Sequence, residues 1–367
     1  MDHNTGQSVA PRGCRVVTTS MTARLLLQHQ LRALDEIAWS VVSGDAFDDP
    51  PRDVEVEVVP IRREFALSDL TGFVRLWKLF RRQRYAFVQT HTPKASFLAL
   101  PAARLAGTTA IYTVHGALYF RDNDRLANML GWLFERWCCS WADLVLVQSR
   151  EDLEVLPRAR VCRAGKLHFV GNGVALDRFQ AEVAPVERSE RPVVLMVGRL
   201  VQEKGCRDFI EVARALASRA DFVHVGPAEH DQSDALSSEE LSAASDVVNF
   251  VGEVADIRPY LAAADLVVLP SYREGIPRVA MEAAAAGRPV VAYDVRGVRE
   301  VLDASSGLLV PRGNRTALTQ LVEGMLADPA RRVALGEACR ARVLEGFSED
   351  DVVDRLRSIY GELTAAS

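Results

Sequence analysis

No run of about 18 apolar residues occurs in this chain, which excludes a membrane-spanning helix of ordinary length. The most apolar window, 129–147, is broken by Glu135, Arg136 and Asp143, and reads as a buried helix followed by a strand. Residues before Val16 lack the apolar core of a secretory signal. The six cysteines, Cys14, Cys138, Cys139, Cys162, Cys206 and Cys339, form no C-x-x-C pair, and no histidine stands in register to complete a zinc site. They read as free thiols in a reducing compartment, so a cytoplasmic protein is expected. The seven histidines are scattered, and a net charge of −5 argues against a nucleic-acid binder driven by phosphate attraction. No residue offers itself as a covalent nucleophile.

What is present suffices for two substantial cores: 367 residues, 49% hydrophobic and 25% charged. Short β-rich runs alternate with helical patterns in both halves, the signature of parallel sheets covered by helices. Strands are predicted over 15–18, 54–59, 87–90, 110–114, 144–148 and 167–170, then over 193–197, 222–225, 247–250, 266–269, 290–293 and 308–310. Between the halves, 179–192 is polar, holds two prolines and shows no sustained period, so the linker is placed there, after a tight turn at Asn172 and Gly173. The expected domains are 1–180 and 181–347, with a last helix over 350–364. Ligands of open parallel sheets bind beyond the carboxyl ends of the strands.

Residues 271–282, SYREGIPRVAME, place Glu274 and Glu282 eight positions apart, just after the apolar run DLVVLP. That run reads as a buried strand. The loop after it holds Gly275, Ile276 and Pro277, and a helix follows with Gly287 as its end signal. The first-turn N–H groups of such a helix lack partners and carry the positive end of its dipole, which suits phosphate or sugar hydroxyls. Acidic side chains beside them accept hydrogen bonds from a polyol. The combination suggests a sugar nucleotide, although Glu274 as a first-turn acid and Glu282 as a solvated helix residue is the plain alternative.

Upstream, VVLMVGRLVQEKG over 193–205 reads as strand, phosphate loop and helix start. Gly198 lets the backbone approach a ligand, while Arg199 and Lys204 supply cations that a helix N-terminus alone cannot. A departing nucleoside diphosphate builds up negative charge, and fixed cations aimed at it lower the barrier by a few kcal/mol.

Together with HTPKASFLALPAARLAG and TVHG, these stretches resemble the retaining glycosyltransferases of the GT-B fold, family four. The likeness is to bacterial members that build lipid-linked or surface polysaccharide chains. The resemblance implies an α/β fold of two Rossmann-like doubly wound domains facing a central cleft, with the segment 348–367 crossing back onto the first domain. It implies a UDP-sugar donor and no metal or other cofactor. By resemblance Glu274 binds the donor sugar's hydroxyls and Glu282 the ribose, Arg199 and Lys204 bind the diphosphate, and His115 hydrogen-bonds the sugar or stabilises the transition state. Gly297 and Glu300 resemble a G-x-x-E loop near the diphosphate, and the base is expected against 251–255.

Other positions are more open. His91 closes a strand before a helix with Pro93 at its first position; Thr90 or Thr92 could cap that helix, and Lys94 would face the cleft, where similar text in the family leaves an acceptor-side role open beside plain capping. After the first strand the chain offers Thr19, Ser20, Thr22 and Arg24 where relatives carry glycine, which puts a close backbone approach in doubt. In 73–84, FVRLWKLFRRQR, the apolar residues fit a helix covering the sheet, and the basic face leaves a peripheral contact with an anionic inner leaflet open. Asp122 and Asp124 spell D-x-D but read as a polar turn.

The sequence therefore predicts transfer of a hexose or N-acetylhexosamine from UDP to a hydroxyl of a glycan, on a polyprenyl-diphosphate carrier. A UDP-sugar epimerase and a non-catalytic UDP-sugar-binding subunit are the rival readings.

Overall fold

A computed structural model describes residues 10–47, 49–61, 66–119, 125–229, 232, 234–303 and 305–365; the D-x-D of Asp122 and Asp124 lies outside them. The chain divides into two compact units, residues 1–171 with 352–367, and residues 172–351.

The first unit holds a seven-stranded sheet: β1 (Arg12–Val16), β2 (Ala38–Ser43), β3 (Glu55–Val58), β4 (Phe87–Thr90), β5 (Thr109–Val114), β6 (Leu144–Val147) and β7 (Leu167–Phe169). The strand order is β3-β2-β1-β4-β5-β6-β7, every pair parallel. The second holds six: β8 (Val193–Val197), β9 (Asp221–Val225), β10 (Val248–Gly252), β11 (Leu266–Leu269), β12 (Val290–Asp294) and β13 (Leu308–Pro311), ordered β10-β9-β8-β11-β12-β13 and again parallel throughout. A parallel pair needs a crossover between its strands, and most of the crossovers here are helical and cover both faces, which is why central strands such as β6, β8 and β11 are continuous β-branched and aliphatic runs. Each order reverses beside the unit's first strand, at β1/β4 and β8/β11. Those are the switch points where doubly wound sheets bind ligands.

Strand β2 was not expected. Its AWSVVS follows the helix Gln28–Ala33 after a short connection, and serines stand at two of its six positions.

The division falls at 171/172, not 180/181. Val174 forms a parallel bridge with Ser348, Phe179 from the helix Leu176–Gln180 is buried in the second core, and Val186 N–H donates to the Pro259 carbonyl at 3.2 Å. Polar composition hid these attachments, so the segment expected to be a linker belongs to the second unit.

On one face of the first sheet, the helices Ser68–Gln83, Pro93–Ala106 and Arg125–Trp141 bury Leu76, Phe80, Ala99 and Cys138 against Val88 and Val145. On the other, the helix Glu349–Ala365 packs Val352, Leu356 and Tyr360 with Trp39 and Phe87. Tyr360 stacks on Phe87 at 4.5 Å. Its hydroxyl also meets the Gln89 side chain and, at 3.4 Å, Arg15, a guanidinium wholly enclosed by the core. Arg15 also donates to Gln30 Oε1 at 2.8 Å and lies over the face of Trp39, 4.5 Å away, while its buried Nε has no hydrogen-bond partner among the described residues. A buried cation with few partners makes each of them costly to lose. Tyr360→Phe is therefore expected to destabilise the full chain by about 1–3 kcal/mol in urea unfolding; an unchanged midpoint would show that the hydroxyl does not hold the last helix in place.

Candidate active site at the carboxyl edge of the second sheet

Beyond the switch point of the second sheet, β8 runs into Gly198 and Arg199, and β11 runs into the loop carrying Ser271 to Pro277. Two glycines make that edge compact. Gly205, at φ 77°, caps the helix Cys206–Leu216, and a Cβ there would lie 1.9 Å from the Pro270 carbonyl oxygen. Gly297, at φ 74°, begins the short helix Val298–Val301, and a Cβ there would lie 1.3 Å from the Gly275 carbonyl oxygen. No other residue permits these approaches.

The loops after β8 and β11 are fastened by two adjacent ion pairs of opposite sense. Lys204 Nζ donates to both carboxylate oxygens of Glu274 at 2.8 Å. One residue back in each loop the charges are exchanged, and Arg273 donates to Glu203 at 2.8 and 3.0 Å. The Tyr272 N–H donates to the Glu203 carbonyl at 2.8 Å between them. Slipping either loop by one residue would set like charges together, so the pairs fix the register. Lys204 and Glu274 keep only 21% and 9% of their side-chain surface exposed, and breaking such a pair by removing one partner costs about 3–5 kcal/mol. Arg199 also meets acids: Glu229 at 2.9 Å and Glu203 at 4.0 Å. Both cations expected at a diphosphate thus lie beside carboxylates.

Asp208 ties this loop to its surroundings. In the first turn of the helix Cys206–Leu216, it accepts from the Tyr272 hydroxyl at 2.6 Å and the Tyr293 hydroxyl at 2.8 Å, and Arg315 Nε forms an ion pair with it at 3.4 Å. Burial and the adjacent carboxylate push the Tyr272 phenol up to about 12. Sequence reading missed Asp208 and Tyr272. An acid in a first helical turn is an ordinary preference, and its partners stand 64 and 85 residues further on.

Glu282 sits in the helix Arg278–Ala285, buried, with Arg278 at 3.5 Å. Burial raises its pKa, only partly opposed by the Arg278 guanidinium. Gly275, Ile276 and Pro277 form the turn into that helix, whose N-cap is Pro277 with no side-chain cap. Glu300 lies on the helix begun by Gly297, and its carbonyl accepts from Arg342 at 3.2 Å. The stretch after β10, expected to meet the base, turns at Gly252 with φ 86°. The structure therefore brings Gly198, Lys204, Glu274, Gly275 and Gly297 together, with Arg199 on the adjoining ion-pair chain.

His115 belongs to the first unit, at the end of β5. His91, at the end of β4, faces it: His91 Nδ1 and His115 Nε2 lie 3.1 Å apart. Burial holds His91 well below the usual imidazole range, with the neighbouring His115 and Arg15 adding to it, and His115 is pushed down to about 4, chiefly by burial. Both rings are neutral at pH 7, so His115 acts there as a hydrogen-bonding group and not as a cation. Thr92 does not cap its helix; its hydroxyl bonds the Thr18 N–H at 2.9 Å and the Thr18 hydroxyl at 2.6 Å, joining the ends of β1 and β4. Lys94 does not project from the helix but is buried against Asp69. Hydroxyls of Thr19 and Thr22 bond each other at 3.1 Å. Among the described residues no group of three or more His, Cys, Asp or Glu side chains is placed to hold a metal ion.

Two sequence families match: Glycosyltransferase Family 4 over residues 14–178 and Glycosyl transferases group 1 over residues 191–328. EpsD of Bacillus subtilis (strain 168), which carries glycosyltransferase in its name, is 30% identical over 353 residues, covering 89% of this chain and 90% of that protein. An Escherichia coli UDP-Gal:alpha-D-GlcNAc-diphosphoundecaprenol alpha-1,3-galactosyltransferase is 24% identical over 309 residues, covering 80% of each chain. The structure of Anabaena Alr3699/HepE in complex with UDP-glucose superposes with a TM-score of 0.78 at 20% identity, over 96% of this chain and 99% of that one. Two parallel doubly wound units and this set of matches define a glycosyltransferase of the GT-B fold. The chain belongs to glycosyltransferase family 4.

The raised pKa of Glu282 means that the folded state holds its proton more tightly than the unfolded chain, so the group stabilises below the ordinary Glu pKa of about 4.3 and its contribution is lost as pH rises through the folded value. Glu282→Gln is expected to raise the melting temperature at pH 8, and a variant that melts lower than the parent would contradict the strain at this buried carboxyl.

Proposed function

We propose that the chain moves a hexose or N-acetylhexosamine from a UDP-sugar to a hydroxyl of a polyprenyl-diphosphate-linked glycan, with retention at the anomeric carbon, in the synthesis of a surface polysaccharide. The observation that carries this reading is the Lys204–Glu274 pair at the switch point of the second sheet. An ammonium has three N–H donors, and Glu274 uses two. The third can meet a phosphate oxygen without breaking the pair. Each Glu274 oxygen still has a lone pair for a sugar hydroxyl, so one bonded unit can touch both sides of the bond that breaks.

As that bond lengthens, charge gathers on the leaving diphosphate. Lys204, backed by Arg199, offsets it, and the pre-set pair needs little reorganisation at that moment. With no covalent nucleophile in view, transfer proceeds on one face of the sugar: the departing phosphate takes the proton of the incoming hydroxyl as the new bond forms. Neutral His115 donates or accepts a hydrogen bond to the sugar. Glu282 holds the ribose, and Gly297 with Glu300 borders the diphosphate. No metal is assigned a role, so chelation by EDTA should leave the rate unchanged.

The donor class is supported by the names of the relatives, which include a UDP-galactose enzyme and a UDP-glucose complex, and the acceptor class by the diphosphoundecaprenol acceptor of the first of these. Screening UDP-sugars with membrane extract as acceptor source tests the proposal. Transfer is expected with one or a few of them, and Lys204→Ala and Glu274→Ala should each lower kcat roughly a hundred- to a thousandfold with the fold retained by circular dichroism. Isomerised donor without transfer would favour an epimerase, UDP binding without turnover a non-catalytic subunit, and near-parental rates in both variants would remove the mechanism.

A further inference from the structure

The helix Arg125–Trp141 turns a run of large apolar side chains to solvent. Leu126, Met129, Leu130, Leu133 and Trp137 are 39–60% exposed. They recur at spacings of three and four, which at 3.6 residues per turn gathers them into an arc of about 100°. A stripe of this kind on one helix is more than the scattered exposed leucines of an ordinary surface. Trp137 is held there by stacking on Phe97 at 5.4 Å.

The charge around the stripe has one sign. The helices Ser68–Gln83, Pro93–Ala106 and Arg125–Trp141 lie side by side on one face of the first sheet. They carry eight basic residues and two acidic ones, in a chain whose net charge is −5. Both acids are engaged: Asp69 with Lys94, and the fully buried Glu135 with the Tyr112 hydroxyl and the Leu118 N–H. Of the basic residues only Lys94 is buried, and Arg75, Lys78, Arg81, Arg82, Arg125 and Arg136 are exposed. No helix among the described residues is long and apolar enough to cross a membrane. An apolar stripe bordered by cations, with no exposed anion on these three helices among the described residues, matches a surface with anionic headgroups over acyl chains, whereas a second copy of the same face would set cations against cations.

We infer that this three-helix layer docks on an anionic lipid surface, with the helix Arg125–Trp141 lying in the interface plane. Its apolar stripe enters the acyl boundary and the arginines and lysine of the neighbouring helices contact headgroups. The basic helix that the sequence singled out supplies charge, and the helix Arg125–Trp141 supplies insertion. Such docking would bring the enzyme to a membrane-borne acceptor, but it stands on this surface alone.

Flotation of the full chain with vesicles, without donor or acceptor, tests it. Binding is expected to vesicles of equimolar phosphatidylglycerol and phosphatidylcholine, to fall at least about tenfold with phosphatidylcholine alone, and to weaken at about 1 M salt, where the screening length is about 3 Å. Leu130→Glu combined with Leu133→Glu, both at exposed positions, should cut vesicle affinity at least about tenfold while UDP binding and the melting temperature stay unchanged. Failure of the parent to float, equal flotation of the double variant, or a parent dimer that the double variant converts to monomer in light scattering would each overturn the inference. Loss of flotation with transfer activity intact on a soluble acceptor separates this claim from the proposed reaction.

Discussion

Lys204 and Glu274 face each other across the gap between two loops that only a parallel, doubly wound sheet brings side by side. Their pairing depends on β8 and β11 being neighbours while lying far apart in sequence, on Gly205 allowing a helix to begin against the end of β11, and on Gly297 allowing the next loop to close over Gly275. The exchanged pair Glu203–Arg273 beside it removes the alternative registers. A buried ion pair is weak evidence of stability, since its desolvation offsets much of its Coulomb energy. Its worth here lies in position: a cation and an anion held in place before any ligand arrives.

Each cation at this edge lies beside an acid. Among Arg199, Lys204, Arg273, Glu203, Glu229 and Glu274 the charges balance, which offsets the repulsion among three neighbouring cations. A diphosphate would bring its negative charge to N–H groups already aimed by their carboxylate partners. Asp208 adds rigidity from below by receiving both Tyr272 and Tyr293. In the first unit the polar groups are likewise preset, with two neutral histidines in contact at the ends of β4 and β5.

Much of this was legible in the sequence, for physical reasons. Short β-rich runs alternating with helical patterns marked twelve of the thirteen strands, and only β2 was not among them. Gly198, Lys204, Glu274 and Gly297 stand at strand ends or helix starts, where residue type and local structure point the same way. Contacts between distant segments were not legible. Nothing local to Lys94 marks Asp69 as its partner, nothing near Thr92 marks Thr18, and the polar text before Pro192 gives no sign of being tied to the helix Arg258–Ala263. The exposed face of the helix Arg125–Trp141 was hidden for a related reason: an apolar sequence reads as buried until the fold shows which side faces solvent.

The central claim is that one preformed ion pair serves both the diphosphate and the sugar. A crystal structure of the full chain with UDP tests it most directly. The account predicts a diphosphate oxygen at about 3 Å from Lys204 Nζ, with the bonds to Glu274 retained and the ribose against Glu282. A nucleotide seated away from all three residues, or a Lys204 that abandons Glu274 on binding, would contradict it.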